Sequence, residues 1–377
     1  MLSASCGALA AGETFVAGEA VELEAGSPFR AEAHLQLAEG WSVAVEPGTG
    51  NLLITEKAGT AKYYNPATGD AWPVSGLPTV AYGGQGGLGD VAFAPDYATS
   101  GMIYLSWAAA AGEGQNAPRR AVLARGKLEC GNGACTIADL TQIWQQEPAV
   151  ASAGHFSHKI AFSPDGQYLF LGSGERMQGA PAQDLSTNLG KVLRLNLDGT
   201  PAAGNPFADQ GGVAAQVWSY GHRNLQLAFA PDGALWELEH GPRGGDELNL
   251  VARGANYGWP VRSNGDNYNG DPIPDHSADD GFTKPAIFWN PVIAPGDFLI
   301  YRGAMFPEWQ GQALIAAMSS VQAIVRVRMD AATGTATEEA RYRFPLRLRD
   351  LAEAPDGSLW VVEDGPRGRL LRVTAAN

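Results

Sequence analysis

The stretch LAFAPDGALWELEHG, residues Leu227–Gly241, decides the fold class of this chain. Apolar residues lead up to the sequence Pro231-Asp232-Gly233, and a second apolar-rich run follows it. Proline restricts φ and glycine tolerates positive φ, so a Pro-Asp-Gly turn between two such runs is typical of a β-hairpin. The stretch therefore predicts two antiparallel strands joined by a tight turn.

The same hairpin signature recurs along the chain. Four further copies, each with a Pro-Asp-Gly turn or a variant of it, lie at Val43–Gly59, Asp90–Trp107, Lys159–Gly174 and Leu351–Gly365. The turn prolines of the five copies are separated by 48, 69, 67 and 124 residues, and they are Pro47, Pro95, Pro164, Pro231 and Pro355. The last gap is nearly double the one before it, so we expect a degenerate sixth copy inside it, at Phe306–Met318.

Six copies in 377 residues leave about 63 residues for each, enough for four strands and long loops. One such unit cannot bury both of its faces, whereas a ring of six can. The fold class is therefore predicted to be all-β, a six-bladed β-propeller with four-stranded antiparallel blades. A β-sandwich whose turns are similar by chance is the alternative. We expect residues 37–377 to form one propeller domain, preceded by an N-terminal tail and closing strand at residues 1–36.

Composition narrows the classes of function. The formal charge is −14 and the isoelectric point is near 4.9, whereas a nucleic-acid-binding protein needs a basic face. No apolar run approaches the ~20 residues of a membrane span. Cys130 and Cys135 close a short loop, for which a disulfide is the simplest prediction and two reduced thiols are the alternative. Cys6 is a candidate remnant of a lipid anchor, although the residues before it match that motif poorly.

The segment HGPRGGDELNLVARGANYGWP, residues His240–Pro260, is the first candidate for a functional site. Three glycines and a proline precede Asp246 and Glu247, which favours an irregular turn with inward-pointing carbonyl groups. A carboxylate beside converging carbonyl oxygens suits a hard cation such as calcium. A long turn with its acids in solvent is the alternative.

Two other segments carry candidate side chains. Gln85 has two glycines on each side, which lets the backbone approach a ligand that the amide can reach; a flexible turn is the alternative. His155 lies at the entry to a predicted strand and is a candidate general base, with a structural histidine as the alternative. We expect the cation of Lys159 to keep His155 neutral, and we expect His158 to be structural.

Arginines mark the remaining segments. Arg223 and Asn224 directly precede a hairpin, where the guanidinium could hold a carboxylate or quinone oxygen or simply form a salt bridge. Arg347 and Arg349 lie on one face of a predicted strand, and two adjacent guanidinium groups repel unless an anion lies between them, which favours a small polyanionic ligand. The sequence has no hydrolase nucleophile elbow, HExxH zinc motif or dinucleotide fingerprint, so redox chemistry would require another cofactor.

The ordered motifs GGQGGL, HFxxxIAF, QDLxxxxGKVLRL, GNPF, VWSYGHRN, HGPRGGDELN, NYGWP, FPEWQG and RLRD resemble those of the soluble aldose sugar dehydrogenases that depend on pyrroloquinoline quinone (PQQ). The resemblance runs from about Leu37 to the C-terminus. It implies a six-bladed propeller that uses PQQ and Ca²⁺ to oxidise an aldose at C1 to a lactone, with a quinone, dye or cytochrome as electron acceptor. We expect a periplasmic or secreted monomer or weak dimer, with a signal peptide that is not part of this sequence.

The resemblance also implies roles for individual residues. His155 would take the proton from the anomeric hydroxyl while a hydride passes from the sugar C1 to the C5 carbonyl of PQQ. Arg223 and Asn224 would contact the quinone, and Arg223 would polarise the carbonyl that receives the hydride. Further implied cofactor contacts are Gln85, Lys159, Tyr268, Ser319, Arg347 and Arg349. The implied calcium ligands are the carbonyls of Gly241 and Pro242 at the ion that anchors PQQ, and Glu247 with the carbonyl of Tyr257 at a second site.

Two positions depart from the family pattern. Lys159 replaces a more usual arginine, and Ser319 stands near a common lysine that binds a cofactor carboxylate, so we expect weaker PQQ binding. Two other functions stay open. A calcium-dependent lactonase-type hydrolase would need several carboxylate or Asn ligands around one metal, and the clustered arginines disfavour it. A non-catalytic propeller that binds a partner or glycan is compatible with Ser319, but the combination of His155 and Arg223 argues against it.

Overall fold

A computed structural model describes residues 15–114 and 116–376, and it is built from antiparallel sheets of four or more strands. This confirms the all-β prediction. The helical segments of the described residues are short: the helix α1 (Tyr97–Ser100) and the 3₁₀ turns Ala180–Gln183, Ala208–Gln210, Gly212–Gln216 and Pro307–Trp309. None of the helices in these residues has the length and apolar character needed to cross a membrane.

The strands form six successive antiparallel units after two N-terminal strands, β1 (Glu19–Val21) and β2 (Phe29–Gln36). Unit 1 contains β3 (Gly40–Val45), β4 (Leu52–Glu56), β5 (Thr60–Asn65) and β6 (Asp70–Ser75). Unit 2 contains β7 (Leu88–Phe93), β8 (Met102–Ala110), β9 (Arg119–Gly131) and β10 (Ala134–Gln145). Unit 3 contains β11 (Ser157–Phe162), β12 (Tyr168–Ser173), β13 (Lys191–Asn196) and β14 (Val217–Tyr220).

Unit 4 contains β15 (Leu225–Phe229), β16 (Leu235–Glu239), β18 (Asp246–Leu250) and β20 (Ile287–Trp289). A separate two-stranded ribbon interrupts it, formed by β17 (Arg243–Gly244) and β19 (Gly265–Asp266). Unit 5 contains β21 (Pro295–Ile300), β22 (Ala313–Ala317), β23 (Ala323–Asp330) and β24 (Thr335–Arg343). Unit 6 contains β25 (Leu348–Glu353), β26 (Leu359–Glu363) and β27 (Arg369–Ala375), and its fourth strand is β2.

The first strands of the six units contact one another in a closed cycle, in the order β3, β7, β11, β15, β21, β25 and back to β3. The sixth unit is completed by the N-terminal region, because β2 pairs antiparallel with β27 from Phe29↔Ala375 to Gln36↔Arg369. A short parallel pairing of β10 with β6 joins the first two units into one sheet. The division of the chain between residues 1–36 and 37–377 stays a prediction.

The predicted hairpins open each unit. The stretch Leu227–Gly241 folds as β15 and β16, paired from Leu225↔Glu239 to Phe229↔Leu235. In the degenerate copy, β22 pairs with β21, and the segment Pro307–Trp309 is a 3₁₀ turn in the long connection between them. In the second copy the helix α1 occupies the connection between β7 and β8. The turn sequences therefore predicted which strands pair, even in the copies whose connection is longer than a tight turn.

The core lies between neighbouring units. Every residue is buried in the second strands β4, β16, β22 and β26, so their side chains pack on both faces of the sheet. Trp236, Phe298 and Ile315 belong to one apolar cluster shared by units 4 and 5. The acidic residues Glu237 and Glu239 are exceptions to the apolar pattern of β16, and each is at most 4% exposed. Buried charges of this kind are costly unless they are paired.

The predicted disulfide is confirmed. Cys130 and Cys135 are joined by an S–S bond of 2.08 Å at the end of the β9–β10 hairpin. Cys6, the candidate lipid-anchor residue, lies outside the described residues.

Candidate active site

A cavity of about 520 Å³, called the main cavity below, lies at one end of the ring of strands. Its lining comes from the starts of first strands, such as Gly40, Asn224 and Arg349, and from the ends of second strands, such as His240 and Asp364. In an antiparallel hairpin these two positions are neighbours. The hairpin repeat therefore brings residues distant in sequence to one cavity.

His155 lies just before β11 and is 6% exposed. It is not among the residues that line this cavity, but its neighbours Phe156 and Ser157 are, and so is Gln85, which accepts its backbone N–H. Its Nδ1 atom makes a short hydrogen bond with Oε1 of Glu175, whose Oε2 accepts the backbone N–H of Gly179 at 2.6 Å. The Nε2 atom has no hydrogen-bond partner among residues 15–114 and 116–376. The Glu175 carboxylate thus fixes the orientation of the ring and leaves Nε2 available to accept a proton.

Burial and the neighbouring charges together lower the pKa of His155 and so favour its neutral imidazole. Burial is the main cause that lowers the pKa of His155; the Glu175 carboxylate raises it, and the Arg223 and Arg176 guanidinium groups lower it further, with a net downward shift. Burial raises the pKa of Glu175, but the hydrogen bond from His155 and the other polar contacts outweigh burial and give a net lowering. The pair is therefore a neutral base next to a carboxylate.

Backbone conformation around the base is unusual. His155, Ser157 and His158 have φ values of 49°, 55° and 59°, a region that residues other than glycine rarely adopt. The segment is held by two side chains predicted to be functional: Oε1 of Gln85 accepts the N–H of His155 at 2.7 Å, and Oδ1 of Asn224 accepts the Ser157 hydroxyl at 3.2 Å. The structure thus places Gln85, His155 and Asn224 together.

His158 differs from His155 in its contacts. Its Nδ1 atom lies 2.8 Å from the Ser106 hydroxyl, and the side chain is 1% exposed. Burial lowers the pKa of His158 to about 4. His158 also lines the main cavity, so its structural role stays a prediction.

Arg223 lies at the same end of the ring as His155. The backbone oxygen of Arg223 accepts the N–H of Glu175 at 2.9 Å, which ties it to the carboxylate that orients the base. Its Nη1 atom donates to the carbonyl of His240 at 3.1 Å, and its backbone N–H donates to Oε2 of Glu239 at 2.5 Å. The guanidinium lies 5.1 Å from the Trp259 ring, and its buried Nε has no hydrogen-bond partner among the residues that the structure describes.

A carboxylate of the chain itself lies between the guanidinium groups of Arg347 and Arg349. Arg349 donates from Nε to Oδ1 of Asp364 at 2.9 Å, and Arg347 pairs with Oδ2 of the same carboxylate. The reasoning that an anion must separate the two guanidinium groups is correct, but Asp364 supplies it, so the pair by itself does not require a ligand. Lys57 and Glu39 also line the cavity, so its lining holds three cations, Lys57, Arg347 and Arg349, and two carboxylates, Glu39 and Asp364. The cavity therefore has a net positive charge.

The expectation about Lys159 is wrong in one respect. Its ammonium group donates to Oδ1 of Asp90 at 3.2 Å and to Oδ2 of Asp297, in a separate small cavity of about 20 Å³ that Arg349 also lines. Although burial opposes it, Asp297 and Asp90 raise the pKa of Lys159 well above its usual range. The two carboxylates hold this cation, and the cations that lower the pKa of His155 are arginines. A contact of Lys159 with a cofactor stays a prediction.

Tyr268 does not line the cavity that Gln85, Asn224, Arg347 and Arg349 share. Tyr268 is 72% exposed and lines a different cavity of about 530 Å³, called the outer cavity below, together with Pro242 and Asn290. Ser319 lines the main cavity and has a φ of 49°. A contact of either residue with a cofactor stays a prediction.

The residues predicted to bind calcium are divided between two places. Gly241, Glu247 and Tyr257 line one small cavity that Arg223 also borders, whereas Pro242 lines the outer cavity beside Tyr268. Burial is the main cause that raises the pKa of Glu247, and Glu239 raises it further. A buried carboxylate in this position favours a bound cation.

Asp246, the other acid of the glycine-rich segment, is occupied by backbone contacts. Its Oδ1 accepts the N–H of Gly241 at 2.8 Å, and its Oδ2 accepts the N–H groups of Ile293 and Ala294 at 2.8 and 2.7 Å. Asp246 therefore shapes the turn that carries Gly241 and Glu247.

Sequence reasoning missed three residues of the site: Glu175, Asp364 and Lys57. Each of them directly or nearly follows the second strand of a hairpin copy. Acids recur close to the ends of the second strands, at Glu56, Glu175, Glu239 and Asp364, between 8 and 11 residues after the turn prolines. Comparing these segments among the copies would have indicated candidate site residues, because all second strands end on the side of the ring where the first strands begin.

Comparisons with known proteins agree on one family. The family model "Glucose / Sorbosone dehydrogenase" matches residues 37–372. The aldose sugar dehydrogenase YliI of Escherichia coli (strain K12) is 36% identical over 348 residues, which cover 91% of this chain and 91% of that protein.

Two solved structures have the same fold. The soluble aldose sugar dehydrogenase of Escherichia coli in its apo form superposes with a TM-score of 0.84 at 35% identity, covering 92% of this chain and 100% of that chain. The PQQ-bound aldose sugar dehydrogenase of Streptomyces coelicolor superposes with a TM-score of 0.71 at 26% identity, covering 93% and 99%. With a family model that spans nearly the whole chain, this protein belongs to the glucose/sorbosone dehydrogenase family.

Proposed function

We propose that this chain is a PQQ- and calcium-dependent aldose dehydrogenase that oxidises the C1 hydroxyl of a sugar to a lactone. Membership of a sugar dehydrogenase family supports an oxidoreductase in general. The observation that carries the specific proposal is the His155–Glu175 pair beside Arg223, next to a cavity with net positive charge that the neighbouring residues Phe156, Ser157 and Asn224 line. A neutral base and a cation within one site are what proton removal from an alcohol requires.

We also propose that the six units are the blades of a six-bladed β-propeller. The closed cycle of contacts among β3, β7, β11, β15, β21 and β25 supports this arrangement. Closure by β2 from the N-terminal region, paired with β27, supports it as well. In such a ring the cavity lies on the axis, where all six units contribute to it.

The main cavity fits PQQ, a flat quinone with three carboxylate groups. Its volume of about 520 Å³ lies within the range of small-molecule sites. Lys57, Arg347 and Arg349 offer cations for the carboxylates, and the amides of Gln85 and Asn224 offer hydrogen bonds. When bound, PQQ would supply the two-electron acceptor that takes a hydride from the sugar C1.

The chain itself supplies the base. Nε2 of His155 takes the proton of the anomeric hydroxyl, and the imidazolium that forms is stabilised by the Glu175 carboxylate at Nδ1. Arg223 is held in place through its backbone by Glu239 and through its guanidinium by the His240 carbonyl. It provides positive charge where negative charge develops during oxidation.

The glycine-rich segment supplies oxygen donors for calcium. The carboxylate of Glu247 and the backbone oxygens of Gly241, Pro242 and Tyr257 are the hard ligands that this ion prefers. The carbonyls of Gly241 and Pro242 are assigned to the ion that anchors PQQ, and Glu247 with the carbonyl of Tyr257 to a second ion. The small cavity that Gly241, Glu247 and Tyr257 line supports a cation on this side of the segment, whereas Pro242 faces the outer cavity.

Ser319 weakens the binding of PQQ in this proposal. Loss of one charged hydrogen bond at this position costs about 1.5–3 kcal/mol. Lys57 lines the same cavity, with its ammonium donating to the carbonyl of Gly84 at 2.7 Å, and offers a replacement cation.

The proposed enzyme works in the periplasm or outside the cell as a monomer or weak dimer. It passes electrons to a quinone, dye or cytochrome. The Cys130–Cys135 disulfide supports an oxidising compartment.

A titration tests the proposal. The protein, freed of metal and mixed with PQQ and Ca²⁺, should shift the absorption spectrum of the cofactor and then reduce dichlorophenolindophenol in the presence of aldoses. His155→Ala should keep the spectral shift and lose dye reduction, whereas His34→Gln, a change in β2, should keep both. Absence of both the shift and dye reduction in the unmodified protein would refute the proposal and favour a binding module.

A further inference from the structure

A cluster of four buried polar side chains lies beneath Arg223, outside the cavity assigned to the cofactor. His222 lies between β14 and β15, Glu237 and Glu239 lie on β16, and Asn249 lies on β18; none is more than 4% exposed. The pairing Glu237↔Asn249 places these two residues side by side. The ligand atoms of His222, Glu237 and Glu239 lie within 4.8 Å of one another.

Three atoms of this cluster are buried without a hydrogen-bond partner in the part of the chain that the structure describes: Nδ1 of His222, Oε1 of Glu237 and Oδ1 of Asn249. Nε2 of His222 lies 2.9 Å from the Ser219 hydroxyl, but its Nδ1 lies 3.8 Å from Glu237 and 3.9 Å from Glu239, too far for hydrogen bonds. Unpaired buried polar atoms are rare because each costs the free energy of its lost hydration. Nδ1 of His222 faces Oε1 of Glu239 and Oε2 of Glu237, and the latter also accepts from Nδ2 of Asn249 at 2.9 Å. His222, Glu237 and Glu239 therefore surround one point, which indicates a ligand that these side chains share.

The two carboxylates also lack a cationic partner. The buried acids at the ends of other second strands are paired, Glu56 with Lys62 and Glu363 with Arg369. Within residues 15–114 and 116–376, neither Glu237 nor Glu239 forms an ion pair with a lysine or arginine.

The nearby cations are already engaged. Lys191, a buried lysine in this region, donates its ammonium group to the carbonyls of Pro181, Ala182 and Leu189. The guanidinium of Arg223 donates to the carbonyl of His240. The cluster therefore holds two buried carboxyl groups without a described lysine or arginine in direct contact, and ionising them requires a cation to offset the cost of burial.

We propose that His222, Glu237, Glu239 and Asn249 bind a first-row transition dication such as Mn²⁺ or Zn²⁺. One imidazole nitrogen, two carboxylates and an amide oxygen form a mixed donor set that suits these ions, whereas Ca²⁺ prefers oxygen ligands alone. Donors about 2.0–2.2 Å from a common metal lie roughly 3–4.4 Å apart, so the observed separations need only small adjustments. This ion is additional to the calcium ions proposed at the glycine-rich segment and neighbours them, because Glu239 also lines the small cavity of Gly241, Glu247 and Tyr257.

The ion would position Arg223. Glu239 faces His222 through Oε1, and its Oε2 accepts the backbone N–H of Arg223 at 2.5 Å. His222 directly precedes Arg223 in sequence, and its ring stacks on Tyr257 at a centroid distance of 4.6 Å. A dication here therefore fixes the backbone on the N-terminal side of Arg223, so the ion has a positioning role rather than a catalytic one.

Metal analysis tests the site without any cofactor or sugar. The full chain is stripped with a chelator, dialysed against Mn²⁺ or Zn²⁺ with Ca²⁺ in large excess, and measured by elemental analysis and by Mn²⁺ electron paramagnetic resonance. We expect one equivalent of transition ion and a rise in Tm on binding. Glu237→Leu and Glu237→Gln should weaken binding by about 100-fold or more and abolish the Tm rise.

Glu247→Gln is the matched control, because it removes a neighbouring buried carboxylate assigned to calcium and should retain the transition ion. The proposal is overturned if the unmodified chain binds no transition ion under these conditions, or if Glu237→Leu retains it. If Glu237→Leu is poorly folded, Glu237→Gln, which keeps the side-chain size, decides the question. These readouts do not involve PQQ or aldose, so their failure is separate from a failure of the proposed dehydrogenase activity.

Discussion

Replacing Glu175 with glutamine probes the part of the site that sequence reasoning missed. The substitution keeps the size of the side chain and an oxygen that can accept from Nδ1 of His155, but it removes the negative charge beside the imidazole. The hydrogen bond between His155 and a carboxylate contributes about 1.5–3 kcal/mol more than no bond, and most of this stabilises the imidazolium formed when the base accepts a proton. We therefore expect Glu175→Gln to lower kcat/KM by about 10- to 150-fold at saturating PQQ.

The same substitution should move the pH profile in a defined direction. Activity requires neutral His155, so the acidic limb of the profile falls as pH drops through the pKa of this group. Glu175 raises the pKa of His155, partly opposing burial. Removing its charge lowers that pKa further, and the acidic limb should shift to lower pH.

The assay is dye reduction with an aldose between pH 4 and pH 9, with PQQ saturation verified at each pH. Glu129→Gln, the same chemical change at an exposed position of β9, is the control and should leave the profile unchanged. An acidic limb that stays in place or moves to higher pH would show that Glu175 does not set the protonation of the base.

Three further predictions concern the cavity and the scaffold. Arg349→Ala should weaken PQQ binding by about 1.5–3 kcal/mol in a titration, more than Arg347→Ala, because Arg349 is 17% exposed and Arg347 is 50% exposed; equal losses would contradict this. Ser319→Lys should tighten PQQ binding by about 10-fold or more, since it adds a cation to the lining, whereas Ser320→Lys, which adds the same charge outside the lining, should not; equal effects would refute a specific contact. Cys130→Ser should lower the free energy of unfolding by about 2 kcal/mol, the value expected for a loop this short, as measured by urea denaturation, without changing dye reduction; a loss of activity would mean that this hairpin reaches the site.

The fold was predictable because its signal is local. Each Pro-Asp-Gly turn specifies a hairpin within about 15 residues. Because the hairpins repeat in order, the number of copies predicts the number of antiparallel units. The degenerate copy at Phe306–Met318 was located from spacing alone, although its turn is a longer connection with a 3₁₀ segment.

Long-range electrostatics explain what could not be predicted. Lys159 is held by Asp297, which is 138 residues away, and nothing near Lys159 in sequence identifies that partner. Arg347 and Arg349 were correctly placed together because i, i+2 spacing on a strand is local, but the carboxylate between them, Asp364, comes from the end of the next strand. Tyr268 belongs to a long connection without a repeat signal, and the structure places it in another cavity.

A crystal structure of the chain with PQQ, Ca²⁺ and an aldose is the most direct test of the central claim. The cofactor should occupy the cavity between Arg223 and the Arg347–Arg349 pair, with the anomeric hydroxyl within hydrogen-bond distance of Nε2 of His155. Cofactor density at any other place, or a sugar whose C1 hydroxyl lies beyond the reach of His155, would contradict it.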